Sequence, residues 1–175
     1  MAPRLLKDTL SVTEFVNADA IASGLSAFNS ESVAITAGRV MLRRLKELAH
    51  QRVSFAFETT LASRSFAPWL TALEREGYAV HLVFLWLPSA ELAVKRVADR
   101  VAMGGHDVPR EVVRRRYVSG LRNFHRIYRP IATTWRVFDA APRQPRWIAE
   151  RLATGDVKVY DTKVWETLLR SARQR

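Results

Sequence analysis

Short apolar runs alternate with stretches of helical periodicity along this chain. The runs 53–57, 79–87 and 134–138 have the near-continuous apolar character of buried strands. Between the runs, apolar residues recur at helical spacing, most clearly at Val33, Ala37, Met41, Leu45 and Leu48. Because alternating strands and helices are typical of α/β folds, the pattern predicts a mainly parallel sheet in a single domain over residues 1–175.

The same pattern gives approximate bounds for the remaining elements. A strand is predicted over Phe15–Asp19, followed by a connection over 20–28 that can be helical in part, with Gly24 as a helix breaker. A further strand is predicted over 157–160. The predicted helices cover 3–11, 29–50, 65–76, a segment from 88 to about 101, a segment beginning at Pro109, 145–152, and a last segment ending near Ala172.

Polar residues follow two of the predicted strands. Asn17 and Asp19 end the first, and Glu58, Thr59 and Thr60 follow the apolar run at 53–57. Open α/β sheets bind ligands at the carboxyl ends of their strands, so these positions are candidates for a site. Asp19 is the candidate general base and Asn17 an orienting group. The alternative is that Asn17 and Asp19 cap the next turn.

The carboxylate of Glu58 has two possible roles. It can hold substrate hydroxyls together with Thr59 and Thr60, or it can form a local ion pair with Arg64. The sequence leaves both possibilities open for Glu58. Arg64 is itself a candidate substrate-binding residue.

Arginines supply the other half of the predicted site. Arg100, the Gly104–Gly105 pair and then Arg114, Arg115 and Arg116 form a candidate mobile lid whose guanidinium groups close over phosphates. His106, next to the glycine pair, is a candidate substrate contact. The alternative for each arginine is an ordinary basic helix face. No cluster of residues with metal-ligand spacing accompanies them.

Composition narrows the classes of partner. The 175 residues carry 28 Lys and Arg against 17 Asp and Glu, for a net charge of +11, and contain no cysteine. Such a charge attracts anions, including nucleotides and sugar phosphates. No nucleic-acid motif is present, so nucleic acid is not the expected partner. No apolar stretch reaches the length of a membrane span, and a cytoplasmic location is expected.

Several ordered motifs resemble those of the zeta-toxin family of P-loop kinases. They are F-V-N-A-D at 15–19, F-E-T-T-L-A-S-R at 57–64, F-L-W-L-P-S at 84–89, G-G-H-D-V-P at 104–109 and R-R-R-Y-V-S-G-L-R-N at 114–123. The resemblance implies a P-loop kinase-like three-layer α/β fold. It also implies transfer of a phosphoryl group from ATP, with Mg²⁺, to a hydroxyl of a nucleotide-sugar such as UDP-N-acetylglucosamine, and an antitoxin as a possible protein partner.

Carried over by this resemblance, Asp19 matches the catalytic base, and Glu58, Thr59 and Thr60 match the substrate-binding acid and hydroxyls. Arg100 and one of Arg115 or Arg116 match the lid arginines that hold phosphates.

The sequence departs from the family at its start. The family's phosphate loop, G-x-x-x-x-G-K-[ST], precedes the F-V-N-A-D segment, and no such motif occurs in residues 1–175. We therefore expect an N-terminally truncated kinase domain, without its first strand and phosphate loop and with impaired ATP binding. The alternative from another class is a non-catalytic basic protein that binds nucleic acid or a protein partner. A kinase with a different hydroxyl substrate also remains open.

Overall fold

The computed structural model describes residues 12–26, 33–105 and 107–173 of the chain. These residues divide into two compact units, Met1–Thr59 and Thr60–Arg175. The predicted helix over 3–11, the first residues (29–32) of the predicted helix over 29–50, and His106 lie outside the described residues. Within the described residues, no helix combines the length and apolarity needed to cross a membrane.

The first unit pairs two short parallel strands with two helices. Its elements are β1 (Glu14–Val16), α1 (Ala18–Leu25), α2 (Ala34–His50) and β2 (Phe55–Phe57). In the parallel pair, Val16 lies opposite Phe57, so the residues that follow both strands emerge at the same edge. This pairing confirms the parallel arrangement that the apolar runs predict for this part of the chain.

Helix α2 provides most of the apolar core of the first unit. Ala37, Met41, Leu45 and Leu48 are buried, as their helical spacing predicts. Arg44 extends from the same helix to Glu14 of β1, with 3.0 Å between Nη2 and Oε2. The buried stripe and this ion pair together fix α2 beside the strand pair.

The second unit contains a four-stranded sheet and most of the helices. Its elements in chain order are α3 (Phe66–Arg75), β3 (His81–Trp86), α4 (Ala90–Ala102), α5 (Arg110–Asn123), a π-helical turn (Phe124–Tyr128), α6 (Arg129–Ile131), β4 (Thr134–Asp139), β5 (Arg146–Arg151), β6 (Val157–Val159) and α7 (Thr162–Arg173).

The strands of this second sheet follow the order β3–β4–β5–β6. The pair β3–β4 is parallel, whereas β5 and β6 extend the sheet in antiparallel fashion. The terminal strand β6 exposes Val157 and Val159 on either side of Lys158.

Aromatic side chains fill the core of the second unit. The rings of Phe84 and Phe124 stack with centroids 4.1 Å apart, and those of Trp135 and Trp165 stack at 5.5 Å. Phe124 is fully buried. This core joins the π-helical turn and α7 to one face of the sheet.

The structure corrects two of the predictions about helices. Gly24 does not break a helix, because α1 continues through it to Leu25. The segment predicted as a helix over 145–152 is instead the strand β5, which buries Ile148 and Ala149 against its neighbours. β5 pairs with the preceding strand β4 on one side and the following strand β6 on the other, and this pairing favours a strand over a helix.

Candidate functional site

The ends of β1 and β2 bring two predicted site residues into contact. Asn17 and Glu58 directly follow the facing residues Val16 and Phe57. The Asn17 side-chain amide donates a hydrogen bond to Glu58 Oε2 across 3.0 Å. The parallel register therefore places an amide and a carboxylate at the edge of the sheet where ligands bind in α/β folds.

Asn17 also caps helix α1. Its Oδ1 accepts hydrogen bonds from the backbone N–H groups of Asp19 and Ala20, at 2.7 and 3.2 Å. Such a cap satisfies helix donors that otherwise have no partner. The capping alternative is thus correct for Asn17, whose amide nitrogen is still used for Glu58.

Asp19 lies in the first turn of α1, whereas the sequence predicted it at the end of a strand. Its side chain is exposed, and a carboxylate at this position is favoured by the helix dipole. Glu58 is exposed as well, so a ligand can reach both of these carboxylates.

Thr59 is half-buried, and Thr60 and Arg64 are exposed. The hydroxyl of Thr60 accepts a hydrogen bond from the backbone N–H of Ala62 at 3.4 Å. Leu61, between them, has a φ of 56°. The backbone of this segment therefore takes a left-handed turn immediately after Thr60.

Three consecutive arginines at the start of α5 have different surroundings. Arg114 forms a bidentate ion pair with Glu91 of α4, with Nε–Oε1 at 2.8 Å and Nη2–Oε2 at 3.0 Å. This hydrogen bond lowers the pKa of Glu91 and raises that of Arg114. Arg115 and Arg116 are exposed, and neither has an ion pair within the described part of the chain. The ion pair with Glu91, a residue that carried no predicted role, thus distinguishes Arg114 from the two predicted lid arginines.

Arg100 lies in the last turn of α4 and is exposed. The chain then turns at Gly104, with φ of 88°. The backbone N–H of Gly105 donates to the Arg100 carbonyl oxygen at 3.0 Å. A Cβ at residue 105 would lie 2.7 Å from Arg100 Cγ, so glycine is required here for close packing.

Sequence reasoning assigned no role to Asn123, although it ends the motif at 114–123. Asn123 is buried, and its side-chain amide contacts the carbonyl oxygens of Leu61 and Ala62. The motif at 114–123 contains Asn123, but the partners of Asn123 are about sixty residues away in sequence.

The family nucleotide, ATP with Mg²⁺, needs a loop that surrounds its phosphates. The motif G-x-x-x-x-G-K-[ST] does not occur in residues 1–175. Among the described residues, no group of three or more His, Asp or Glu side chains is arranged to hold a metal ion. Residues 1–175 therefore lack the loop that surrounds the β- and γ-phosphates of ATP in the family.

The order and pairing of these elements define a P-loop kinase-like fold. A chain from the PezAT chromosomal toxin–antitoxin system of Streptococcus pneumoniae has the same fold, with a TM-score of 0.58 and 12% identity; the match covers 99% of this chain and 78% of that one. The zeta-toxin family model matches residues 14–164. The chain therefore belongs to the zeta-toxin family, which confirms the resemblance carried by its motifs.

A relative from Haemophilus influenzae, itself an uncharacterised protein, is 28% identical over 102 residues. The aligned part is 58% of this chain and 73% of that protein. The similarity adds no information on substrate.

Proposed function

We propose that this chain is a small-molecule kinase that transfers the ATP γ-phosphate to a hydroxyl of a nucleotide-sugar such as UDP-N-acetylglucosamine. The observation that supports this function is the hydrogen bond between Asn17 and Glu58 at the ends of two parallel strands. Both residues lie within the part of the chain matched by the zeta-toxin family. Because the motif G-x-x-x-x-G-K-[ST] does not occur in residues 1–175, we expect these residues to transfer phosphate poorly.

The residues of the first unit bind and activate the acceptor hydroxyl. Asp19 accepts the proton of the attacking hydroxyl, a role that is worth about 10²–10⁴ in rate for a general base. Glu58 has one carboxylate oxygen on Asn17, and its other oxygen accepts a hydrogen bond from the sugar. The hydroxyl of Thr59 adds a further contact to the sugar.

The residues of the second unit bind the phosphate groups and make further contacts with the substrate. Arg100, Arg115 and Arg116 neutralise phosphate oxygens through charge-assisted hydrogen bonds. Arg64 and Thr60 bind the substrate, and His106 contacts it from the segment after α4.

The structural neighbour comes from a toxin–antitoxin system. We extend this to the present chain as a proposal: a cytoplasmic toxin whose activity an antitoxin protein neutralises.

Binding and transfer can be measured separately. UDP-N-acetylglucosamine is titrated into the chain by calorimetry without ATP, and transfer is then followed by ³¹P NMR with ATP and Mg²⁺. Glu58→Gln is expected to weaken binding about tenfold, the loss expected for one charged hydrogen bond. The matched control is Glu166→Gln, which changes an exposed carboxylate on α7.

Asp19→Asn is expected to abolish residual transfer and to leave nucleotide-sugar binding within about twofold of wild type. If the wild-type chain binds no nucleotide-sugar, the proposal is wrong.

A second candidate, a non-catalytic nucleic-acid-binding protein, is favoured by one feature of the first unit. One exposed face of helix α2 carries Arg39, Leu42, Arg43, Lys46, Glu47 and His50. Fluorescence polarisation with single-stranded RNA tests this function. A logarithmic salt slope steeper than about −3, lost in the Arg39→Glu/Lys46→Glu double variant, would support it. A shallow slope would exclude it.

A further inference from the structure

Four consecutive backbone carbonyls, those of Thr60–Ser63, face the end of helix α5 and the π-helical turn after it. Asn123 provides two of the contacts. Its Nδ2 donates hydrogen bonds to Leu61 O at 2.8 Å and to Ala62 O at 3.1 Å. One side chain thus binds two successive peptide units.

The outer two carbonyls are met by other residues of the same helical stretch. The Tyr128 hydroxyl donates to Ser63 O at 2.5 Å. At the other end, the carbonyl oxygen of Thr60 occupies the position that a Cβ on residue 120 would take, so only glycine fits there. Gly120, Asn123 and Tyr128, together called the α5 clamp, therefore contact every carbonyl of the segment.

The clamped backbone is not in a conformation that it would prefer alone. Leu61 has a φ of 56°, in the left-handed region that disfavours residues with a Cβ. Its side chain is 5% exposed and packs beside Leu121 and Phe124 in the core. Packing and the clamp impose the conformation together.

The buried side chain of Asn123 carries an acceptor atom that lowers the stability of the fold. It is 2% exposed, and its Oδ1 has no hydrogen-bond partner within the described residues. Burial of an unpaired acceptor destabilises a fold. This cost points to a role for Asn123 beyond holding the helix in place.

The position of the clamp suggests that role. The segment Thr60–Ser63 includes one proposed substrate-binding residue, Thr60, and directly precedes another, Arg64. Helix α5 also carries the proposed lid arginine Arg115, eight residues before Asn123, or about 12 Å along the helix axis at 1.5 Å per residue. Helix α5 therefore contacts the proposed substrate segment and also carries the proposed lid arginines.

We propose that Gly120, Asn123 and Tyr128 are positioning residues that fix the substrate-binding segment Thr60–Arg64 relative to Arg115 and Arg116. This inference rests on the proposed kinase function. In this proposal none of the three contacts the substrate, and they act by fixing the position of the segment that binds it. Small displacements of such groups reduce catalysis strongly, by as much as about a hundredfold for a shift near 1 Å.

Matched pairs of variants separate positioning from stability. Tyr128→Phe removes the hydroxyl that contacts Ser63, and its control Tyr117→Phe removes a hydroxyl that donates to Leu87 O at 2.9 Å, also from α5. Gly120→Ala introduces an overlap with the Thr60 carbonyl. Its control is Gly38→Ala in helix α2, where a Cβ meets nothing within 4 Å.

Asn123→Asp is the direct variant, because it keeps the shape but removes both donated hydrogen bonds. If Asn123→Asp does not fold, the tyrosine and glycine pairs still decide the question.

Two measurements are made on the full chain. Hydrogen exchange by mass spectrometry follows the backbone amides of residues 60–66, and calorimetry gives the dissociation constant for UDP-N-acetylglucosamine. Tyr128→Phe and Gly120→Ala are expected to speed exchange in this segment and to weaken binding about tenfold. Tyr117→Phe and Gly38→Ala are expected to change neither value by more than about twofold.

Unchanged hydrogen exchange at residues 60–66 in both Tyr128→Phe and Gly120→Ala would overturn the proposal that these residues hold the segment. Faster exchange with unchanged nucleotide-sugar affinity would show a purely structural role and would also overturn the proposal. Failure of the proposed kinase function is distinguishable from both, since it appears as absence of binding by the wild-type chain, whatever the exchange rates.

Discussion

The side chain of Asn17 joins two functions through different atoms: Oδ1 accepts from the first turn of α1, and Nδ2 donates to Glu58 across 3.0 Å. Capping and site formation are usually weighed as alternatives for an asparagine at a strand end. Here the cap orients the amide, and the oriented amide holds the carboxylate.

Substitutions of Asn17 should therefore separate the two roles. Asn17→Ala is expected to lower the free energy of unfolding by about 1 kcal/mol, because the cap is lost. Asn17→Ser keeps a capping oxygen but cannot donate to Glu58 over the same distance. We expect it to retain most of the stability and to lose nucleotide-sugar affinity as Glu58→Gln does. Urea denaturation and calorimetry measure the two effects, and equal loss of stability in both variants would contradict the assignment.

The three adjacent arginines of α5 should differ in function. Arg114 is held by Glu91, so Arg114→Gln is expected to reduce stability slightly, in a manner that high salt abolishes, with phosphoryl transfer unchanged. Arg115→Gln and Arg116→Gln are expected to leave stability unchanged. At least one of them should reduce transfer tenfold or more, followed by ³¹P NMR. A loss of transfer confined to Arg114→Gln would reverse the assignment.

Core substitutions test whether residues 1–175 behave as one domain. Leu45 and Leu168 are fully buried, one in each compact unit. Replacement of either by alanine is expected to cost about 2–5 kcal/mol. For a single domain, both variants shift one common unfolding transition, observed by calorimetry and circular dichroism. Two transitions, each sensitive to one of the substitutions, would show that the units unfold independently.

His125 should make stability depend on pH. Burial lowers its pKa from the ordinary 6.5, with further lowering by the positive charges of Arg129, Arg173 and Arg126. The unfolded chain therefore binds more protons just below pH 6.5, and the free energy of unfolding falls as the pH decreases from about 7 toward the lowered pKa. His125→Gln removes this contribution. The difference between wild type and His125→Gln, measured in urea from pH 7.5 to 5, should change with pH; a constant difference would contradict the prediction.

Much of the fold could be predicted because its signals are local. The stripe of α2 and the cap of α4 by Ser89, whose hydroxyl accepts from the Leu92 N–H at 3.1 Å, depend on residues within a few positions of one another. The strand β5 could not be predicted in this way, because its conformation depends on pairing with β4 and β6.

In the candidate site, too, the residues with local sequence signals could be predicted and those defined by distant partners could not. Asn17 and Glu58 could be predicted because each follows an apolar run. The roles of Glu91 and Asn123 could not, since a partner 23 residues away and others 61 and 62 residues away define them. The π-helical turn after Asn123 could not be predicted either, because its apolar spacing is the same as that of an ordinary α-helix.

The terminal strand β6 bears on how copies of this protein behave when concentrated. An outermost strand with two exposed valines is a template for addition of strands from other molecules. Lys158 lies between those valines in sequence, and its ammonium group is 4.9 Å from the ring centre of Tyr160. Loss of this one charge, by acetylation or substitution, is expected to favour edge-to-edge association of copies.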